Sequence, residues 1–325
     1  MKLSVVILNW NGENFLNRFL PSVVKYSDID DCEVVVADNG SDDQSLSLLE
    51  NEFPTVKIIK FDKNYGFTGG YNKAINLINS KYILLLNSDV EVTENYLVPL
   101  LQTIQSDDNI AAVMPKIMSL GDQSKFEYAG AAGGRLDVLG MPYCDGRILS
   151  KTETDHGQYD TLREVFWASG AAMLIRKEIY TSIGGLDEDY FAHMEEIDFC
   201  WRAKNRGYKI FCNPASKVYH LGGGTLQNNS PVKLYLNFRN SLYTLYKNLP
   251  TATLFTTLFS RMCLDGAIAV AYLLTCRLSK FKAILKAHID FYKNIKSLHQ
   301  KRSTLKRTHR TKLRGLLPLL YVFKA

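Results

Sequence analysis

The chain has 325 residues, 46% of them hydrophobic and 22% charged, the balance of a globular protein with one large domain or a domain and an appendage. Its six cysteines, Cys32, Cys144, Cys200, Cys212, Cys263 and Cys276, form no CxxC pair, which argues against a zinc site or a disulfide framework and fits a reducing cytosol. The net charge of +6 hides an asymmetry: residues 277–325 carry 14 Lys and Arg against one acid, Asp290, so the first 276 residues are net −7. A mildly acidic body with a strongly basic tail suggests an anionic surface as the partner of the tail.

In chain order, residues 3–8, 32–37, 56–61, 81–86 and 110–117 read as strands, rich in Val, Ile and Leu. Between them, residues 14–26, 44–50, 69–78 and 94–105 place apolar side chains at helical spacing, with Asp43 and Thr93 as expected N-caps and Pro21 as an expected kink. The alternation predicts an α/β fold with a mainly parallel central sheet and helices on both faces. Residues 119–162 are polar and Gly-rich and are expected to form loops and short strands of a cleft wall. A strand-like passage follows at 165–176, then a helix at 177–183 closed by Gly184-Gly185, and a helix at 195–206 closed by Gly207. Strands at 208–212 and 217–220 and a helix at 231–248 complete this part.

From Thr251 the character changes. Residues 251–278 are apolar but hold Arg261, Asp265 and Gly266, and their longest uncharged stretch, 266–276, has 11 residues. A spanning helix needs about 20, so a helix lying at a membrane interface is expected, followed by a basic amphipathic tail.

Three strands deliver polar groups to one sheet edge, where open α/β folds bind ligands: Asn9-Trp10-Asn11-Gly12, Asp38-Asn39-Gly40-Ser41-Asp42-Asp43 and Asn87-Ser88-Asp89. No GxGxxG follows the first strand, against a nicotinamide or flavin enzyme, and no GxxxxGK[ST] occurs, which excludes a P-loop. Asp38 and Asn39 could pair with the edge of a nucleobase or simply form a strand-to-helix turn. Residues 64–72 are Gly-rich and lead into a helix whose first amides could face phosphate. Glu195, Glu196 and Asp198 crowd the start of a helix beyond any capping need. Like charges and partial burial would raise one of them towards the range of a general base, with Arg202 as a brace. His220 follows a strand and, with Asp89, could ligate Mn²⁺ or Mg²⁺.

Seven segments in order, SVVILNWNG (4–12), VVVADNGSDD (34–43), NYGFTGGYNKAI (64–75), LLLNSD (84–89), GAAMLIRKEIYTSIGGLDEDYF (170–191), EEIDFCWR (195–202) and VYHLGGGT (218–225), resemble the family 2 inverting glycosyltransferases of GT-A fold. The likeness is to the bacterial rhamnosyltransferase-like branch and covers residues 3–240. It implies that Asn9, Asn11, Asp38 and Asn39 contact the donor nucleoside. Gly66 and Asn72 would stand on the pyrophosphate side, beside Asn87 and Ser88. Asp89 matches the last Asp of the family's DxD motif and would hold the divalent cation, with Asn87 in place of the first Asp and His220 as a further ligand. Glu195-Glu196 occupies the Glu-Asp motif, so Glu196 is expected to be the base, with Glu195 and Asp198 as alternatives. Asp187 would meet the acceptor.

The resemblance thus implies a metal-dependent inverting enzyme acting on a UDP- or dTDP-sugar and a saccharide or lipid-linked saccharide in surface polysaccharide synthesis. Residues 1–248 would be its GT-A catalytic domain and residues 249–325 a helical, basic, membrane-associating region, placing it in the cytoplasm, peripheral on the inner face of the plasma membrane. Its rivals are a nucleotidyltransferase, which would need a basic Gly-rich loop that residues 9–12 lack, and an inactive nucleotide-sugar-binding scaffold, against which Asp89, Glu196 and His220 weigh. No nucleic-acid partner is expected, since only the basic tail speaks for one.

Overall fold

The computed structural model describes residues 2–222 and 230–309, with Leu313, Gly315 and Leu316 beyond them. The first half alternates as expected: β1 (Leu3–Asn9), α1 (Glu13–Tyr26), β2 (Cys32–Asp38), α2 (Ser45–Glu52), β3 (Lys57–Lys60), α3 (Gly66–Leu77), β4 (Tyr82–Leu86), β5 (Val90–Val92), α4 (Leu97–Ser106) and β6 (Ile110–Ser119). Four short strands, β7 (Gly134–Leu136), β8 (Pro142–Cys144), β9 (Arg147–Ile148) and β10 (Lys151–Thr152), form a separate antiparallel sheet from the Gly-rich stretch. Then come β11 (Arg163–Glu164), β12 (Ala172–Arg176), α5 (Lys177–Ser182), a 3₁₀ turn at Glu188–Tyr190, α6 (Glu195–Asn205) and β13 (Lys209–His220). The chain continues through α7 (Pro231–Asn248), α8 (Thr251–Leu274), α9 (Leu278–Lys293) and α10 (Ile295–Thr304).

The main sheet has the order β11-β13-β6-β12-β4-β1-β2-β3, with β5 paired to β13. Strands β4, β1, β2 and β3 run parallel, and β6 is parallel to β13. Strand β12 enters antiparallel between β4 and β6, so those two do not pair directly. Every residue of β4 and of β12 is buried. Successive side chains of a strand point to opposite faces, so the sheet is covered on both.

Two local expectations are corrected. The two strands expected at 208–212 and 217–220 are one, because the ladder to β6 shifts register between Asn213 and Lys217 and resumes. Pro214, which has no N–H to donate, sits in that bulge. Thr93 caps no helix: its hydroxyl donates to the Lys217 carbonyl, and α4 begins at Leu97. Asp43 stands just before α2, where its carboxylate accepts from the Ser45 amide and also from the Glu13 amide, tying α2 to the start of α1. The helix end at Gly184-Gly185 forms as expected, with the Gly184 amide on the Thr181 carbonyl and the Gly185 amide on the Tyr180 carbonyl.

Candidate active site

At the carboxyl edge of β1 and β2 the polar residues meet. Asn9 is buried, and its amide donates to Asp38 Oδ2 (3.2 Å) and Ser41 Oγ (3.3 Å), while its own Oδ1 has no partner. Asp38, also buried, accepts from the Ser41 amide on its other oxygen. Asn11 is exposed with φ 49° and accepts from the Asp42 amide, locking the two loops together. Gly12 leaves the space over Asn9 open: a Cβ there would come within 2.3 Å of Asn9 Oδ1 and 3.9 Å of Ser88 Oγ.

Asn39 and Asn72 behave differently from the expectation that they face the donor. The Asn39 side chain donates to Asn64 Oδ1 and the Gly66 carbonyl and accepts from the Tyr65 amide. It holds the Gly-rich turn in which Gly66 has φ 73°. Asn72 donates to the Leu186 carbonyl and Glu188 and accepts from Tyr180 and the Leu186 amide. Both amides are committed to neighbouring backbone and side chains, so they shape the walls.

At the end of β4, the Asn87 amide bonds the Ala171 carbonyl and extends the pairing with β12. Strand β5 pairs with the end of β13, residue against residue from Val90 with His220 to Val92 with Val218, and this brings Asp89 against His220. Asp89 Oδ1 lies 3.1 Å from His220 Nε2, and Glu127 Oε2 lies 3.5 Å from the other ring nitrogen. All three are buried. Burial disfavours the imidazolium, but hydrogen bonds to Asp89 and Glu127 outweigh it and push His220 up to about 10. Glu127 gave no sequence signal, standing in the Gly-rich stretch with no motif around it. Gly223, Gly224 and Thr225, which complete the motif after His220, lie outside the described residues.

The Asp89 carboxylate and the His220 ring would fit a hard divalent cation, with a diphosphate and water as its other ligands, once the cation displaces the imidazolium proton, as metal binding to histidine does. Among the described residues no group of three His, Cys, Asp or Glu converges to hold a metal ion unaided.

The start of α6 is approached through strained backbone. Phe191, His193 and Met194 have φ of 64°, 69° and 72°, a left-handed conformation that non-glycine residues disfavour. Asn240 of α7 over-determines it, donating from one amide to the carbonyls of Tyr190, Ala192 and His193. Arg239 adds bonds to the carbonyls of Asp189 and Tyr190. Neither residue was visible as functional in the sequence; a polar side chain on a helix face otherwise buried is the only signal they leave.

The segment presents Glu195 and Glu196, each with an Oε2 that has no hydrogen-bond partner. Burial, with the charge of Glu196 added, pushes the Glu195 carboxyl well above the usual carboxylate range. Burial pushes the half-buried Glu196 up to about 7. Glu196 stands beside Gly170, the residue before the Ala171 that bonds Asn87: a Cβ on Gly170 would lie 3.9 Å from Glu196 Cβ and 3.6 Å from the Phe67 ring. A Cβ there would make ordinary contacts, so Gly170 brings β12's approach, α3 and α6 close together at Glu196.

Asp198 and Asp187 do not share this freedom. Asp198 is fully buried, bonded to Arg202 Nε (2.7 Å) and Asn248 Nδ2 (2.8 Å) and paired with Lys247 (3.0 Å). Burial would raise its pKa, but Lys247 and Arg202 hold it below the usual carboxylate range. Arg202 also bonds the carbonyls of Ile183 and Gly185, bracing the Gly-Gly turn. Asp187 caps the 3₁₀ turn through the Asp189 amide and pairs with Lys247 and Lys301. The expected base alternative Asp198 and acceptor ligand Asp187 are thus both engaged in ion pairs within the protein. A cavity of about 350 Å³ beside Asp187, lined by Gly184, Arg202, Lys247 and Lys301, does not reach Asp89 or Glu196.

The family model of glycosyl transferase family 2 matches residues 4–184, more than half of the chain. The chain belongs to glycosyl transferase family 2. Within this glycosyltransferase the match spans the sheet edge and Asp89, whereas Glu195, Glu196 and His220 lie beyond it. Among curated relatives, the low-salt glycan biosynthesis hexosyltransferase Agl10 of Haloferax volcanii is 26% identical over 244 residues, 73% of each chain. The N-acetylglucosaminyl-diphospho-decaprenol L-rhamnosyltransferase of Mycobacterium tuberculosis is 25% identical, covering 67% of this glycosyltransferase and 75% of the relative. The mannosyltransferase of Pyrobaculum calidifontis, solved with GDP-Man and Mn²⁺, is 12% identical with a TM-score of 0.56, covering 90% of this chain and 87% of the other. The glycosyltransferase shares its GT-A fold.

Proposed function

We propose that this glycosyltransferase is a metal-dependent inverting enzyme that moves a sugar from a UDP- or dTDP-sugar to a saccharide or lipid-linked saccharide in surface polysaccharide synthesis. The observation that carries the reading is the Glu196 carboxylate, with one oxygen unpartnered and its pKa raised, standing against Gly170. A carboxylate with one free oxygen, poised near neutral pH, suits proton abstraction from an acceptor hydroxyl. Asn9, Asn11 and Asp38 line the nucleoside end, and Asn87, Ser88 and Asp89 the diphosphate end, of one sheet edge. The named lipid diphosphate of the mycobacterial relative and the GDP-Man and Mn²⁺ of the mannosyltransferase complex support the substrate and metal classes.

Asp89 and His220 would hold the cation, which neutralises charge growing on the leaving diphosphate. The acceptor oxygen attacks the anomeric carbon from the face opposite the diphosphate. The new C–O bond forms as the bond to the diphosphate oxygen breaks, and Glu196 takes the hydroxyl proton. A single displacement inverts the carbon. Burial and the neighbouring charge push the Glu195 carboxyl well above the usual carboxylate range, which disfavours a second negative charge in the site. Asn240 and Arg239 fix the strained approach to α6 and so the position of Glu196.

The acceptor reading agrees with a cytoplasmic enzyme held at the inner membrane face, with residues 1–248 catalytic and residues 249–325 associating with anionic lipid. Each well-placed Lys or Arg of that region contributes about 1 kcal/mol.

A thermal-shift panel of nucleotide diphosphates and nucleotide-sugars, with and without Mn²⁺, tests the donor site, since a ligand that binds the native state stabilises it by mass action. A Mn²⁺-dependent shift with UDP or dTDP compounds, lost in Asp89→Ala, is expected. Folded protein with no shift for any nucleotide would overturn the reading.

A further inference from the structure

Helix α8 is inverted relative to a helix packed in water. Its buried residues are Arg261, Asp265 and Ala269, whereas Phe255, Phe259, Val270, Leu273 and Leu274 are exposed, Phe255 by 78% and Leu274 by 79%. The spacing is helical for both sets. Positions 261, 265 and 269 are four apart on the inner stripe, and 255, 259, 270 and 274 repeat by four and eleven on the outer one. The polar residues are satisfied within the protein. Arg261 Nε bonds Asp265 (2.7 Å), its Nη1 donates to Ser241 Oγ of α7 and to the Leu139 carbonyl, and Asp265 meets His288 of α9 (3.2 Å). The interaction of Arg261 and Asp265 with the body explains why they interrupt an apolar helix.

The outer stripe continues on α9, where Leu278, Leu285, Ile289 and Tyr292 are exposed. Tyr292 reaches Met262 of α8 (3.4 Å), joining the two helices along their length. Phe255 and Phe259 stack with centroids 6.2 Å apart and planes 13° apart, making a flat apolar end. Exposed Lys282 stands within the α9 stripe, one turn from Leu278 and Leu285, and exposed Arg277 lies in the turn between the helices. An apolar stripe that carries cations at its margin and, from residue 277 on, one acid against 14 bases matches an anionic headgroup layer over acyl chains. Helix α8 is long and apolar enough to cross a bilayer by length and composition. Its inner side, however, is bonded to α7, α9 and Leu139, so it stays with the body.

We infer that the outer stripes of α8 and α9 form a ridge that seats in the interface of an anionic lipid bilayer, with α8 lying in its plane. The inference deepens the membrane reading above and rests on it, but assigns the attachment to an apolar ridge rather than to the basic tail alone.

Flotation of the full chain with vesicles of phosphatidylcholine, alone or mixed with phosphatidylglycerol, tests it. The wild type is expected to float with the mixed vesicles, and the double variant Phe255→Ser/Phe259→Ser to lose at least about tenfold in partition, each ring being worth more than a factor of ten when buried. The variant's nucleotide-dependent thermal shift should be unchanged, which separates loss of the ridge from loss of fold or donor site. A variant that floats as well as the wild type overturns the ridge while leaving attachment through the tail. A wild type that floats with neither vesicle overturns both. If instead the wild type is a dimer that the variant converts to a monomer, with no lipid binding by either, a second copy covers the ridge and the inference fails.

Discussion

The donor-side wall and the approach to α6 treat buried polar atoms in opposite ways. Asn39 and Asn72 place both their donor and acceptor atoms on neighbouring backbone or side chains, and each fixes a loop. Glu195 and Glu196 open helix α6 at the end of a loop held by other residues and keep an oxygen each without a partner. Leaving a buried polar atom unpaired costs about 1–3 kcal/mol, and native structures rarely carry it without return. Saturated groups here hold loops in place, and the unsaturated oxygens are the ones the proposed mechanism uses. The same criterion separates Asp198 and Asp187, each locked in ion pairs, from Glu196.

The largest test of that contrast is Glu196→Gln, expected to lower kcat by roughly 10²–10⁴ while nucleotide binding stays, as read by single-turnover transfer and a donor thermal shift. Wild-type kcat/KM should fall as pH drops below about 7, because a base with a raised pKa is protonated there, and the limb should be absent from the Gln variant's residual rate. Next comes Asn240→Ala, which leaves three carbonyls without their donor and frees the strained loop. Transfer should drop by about 10²-fold, with KM for donor little changed. Asn72→Ala belongs on the other side: it should lower stability by about 1–3 kcal/mol in denaturant unfolding. A loss of kcat in that variant as large as in Asn240→Ala would erase the distinction between wall and loop.

The smallest effect is a gain. The Glu195 carboxyl titrates higher in the folded protein than in the unfolded chain. The unfolded state therefore releases its proton first as pH rises, and stability falls from about pH 4.5 upward until the folded carboxyl ionises. Glu195→Gln removes that penalty. Its Tm should exceed the wild type's by roughly 2–4 °C at neutral pH, with no difference below about pH 4. An equal Tm at both would mean that Glu195 is ionised and paired in solution.

Strands β1, β2 and β4 were legible because uninterrupted runs such as Leu84-Leu85-Leu86 can only be buried, and each stops at a polar turn. The place of β12 was not, since its antiparallel entry between β4 and β6 depends on pairing partners more than 50 residues away. Strand β5 has three residues, too few for a periodic signal, yet it is what sets Asp89 against His220. Asn39 and Asn72 read as ligand groups because composition cannot tell an amide that faces a substrate from one that faces a carbonyl, and in the fold each bonds within the protein. Glu127 was illegible for the same reason: its role exists only where the chain brings it to a histidine 93 positions later. In α8 the pair Arg261 and Asp265, four apart, was readable as a mark against a spanning helix, but not which face it would occupy.

Asn240 and Ser241 are neighbours on α7, and successive residues of a helix point about 100° apart. One secures the loop that leads to Glu196, and the other receives Arg261 from α8. The seat of α8 and the position of Glu196 are thus referred to one rigid rod, with no flexible linker between them. If α8 rests in the bilayer and Glu196 is the base, the carboxylate stands at a fixed height above the lipid. The enzyme then measures its acceptors, and a carrier whose terminal hydroxyl stands too near the headgroups or too far above them goes unglycosylated.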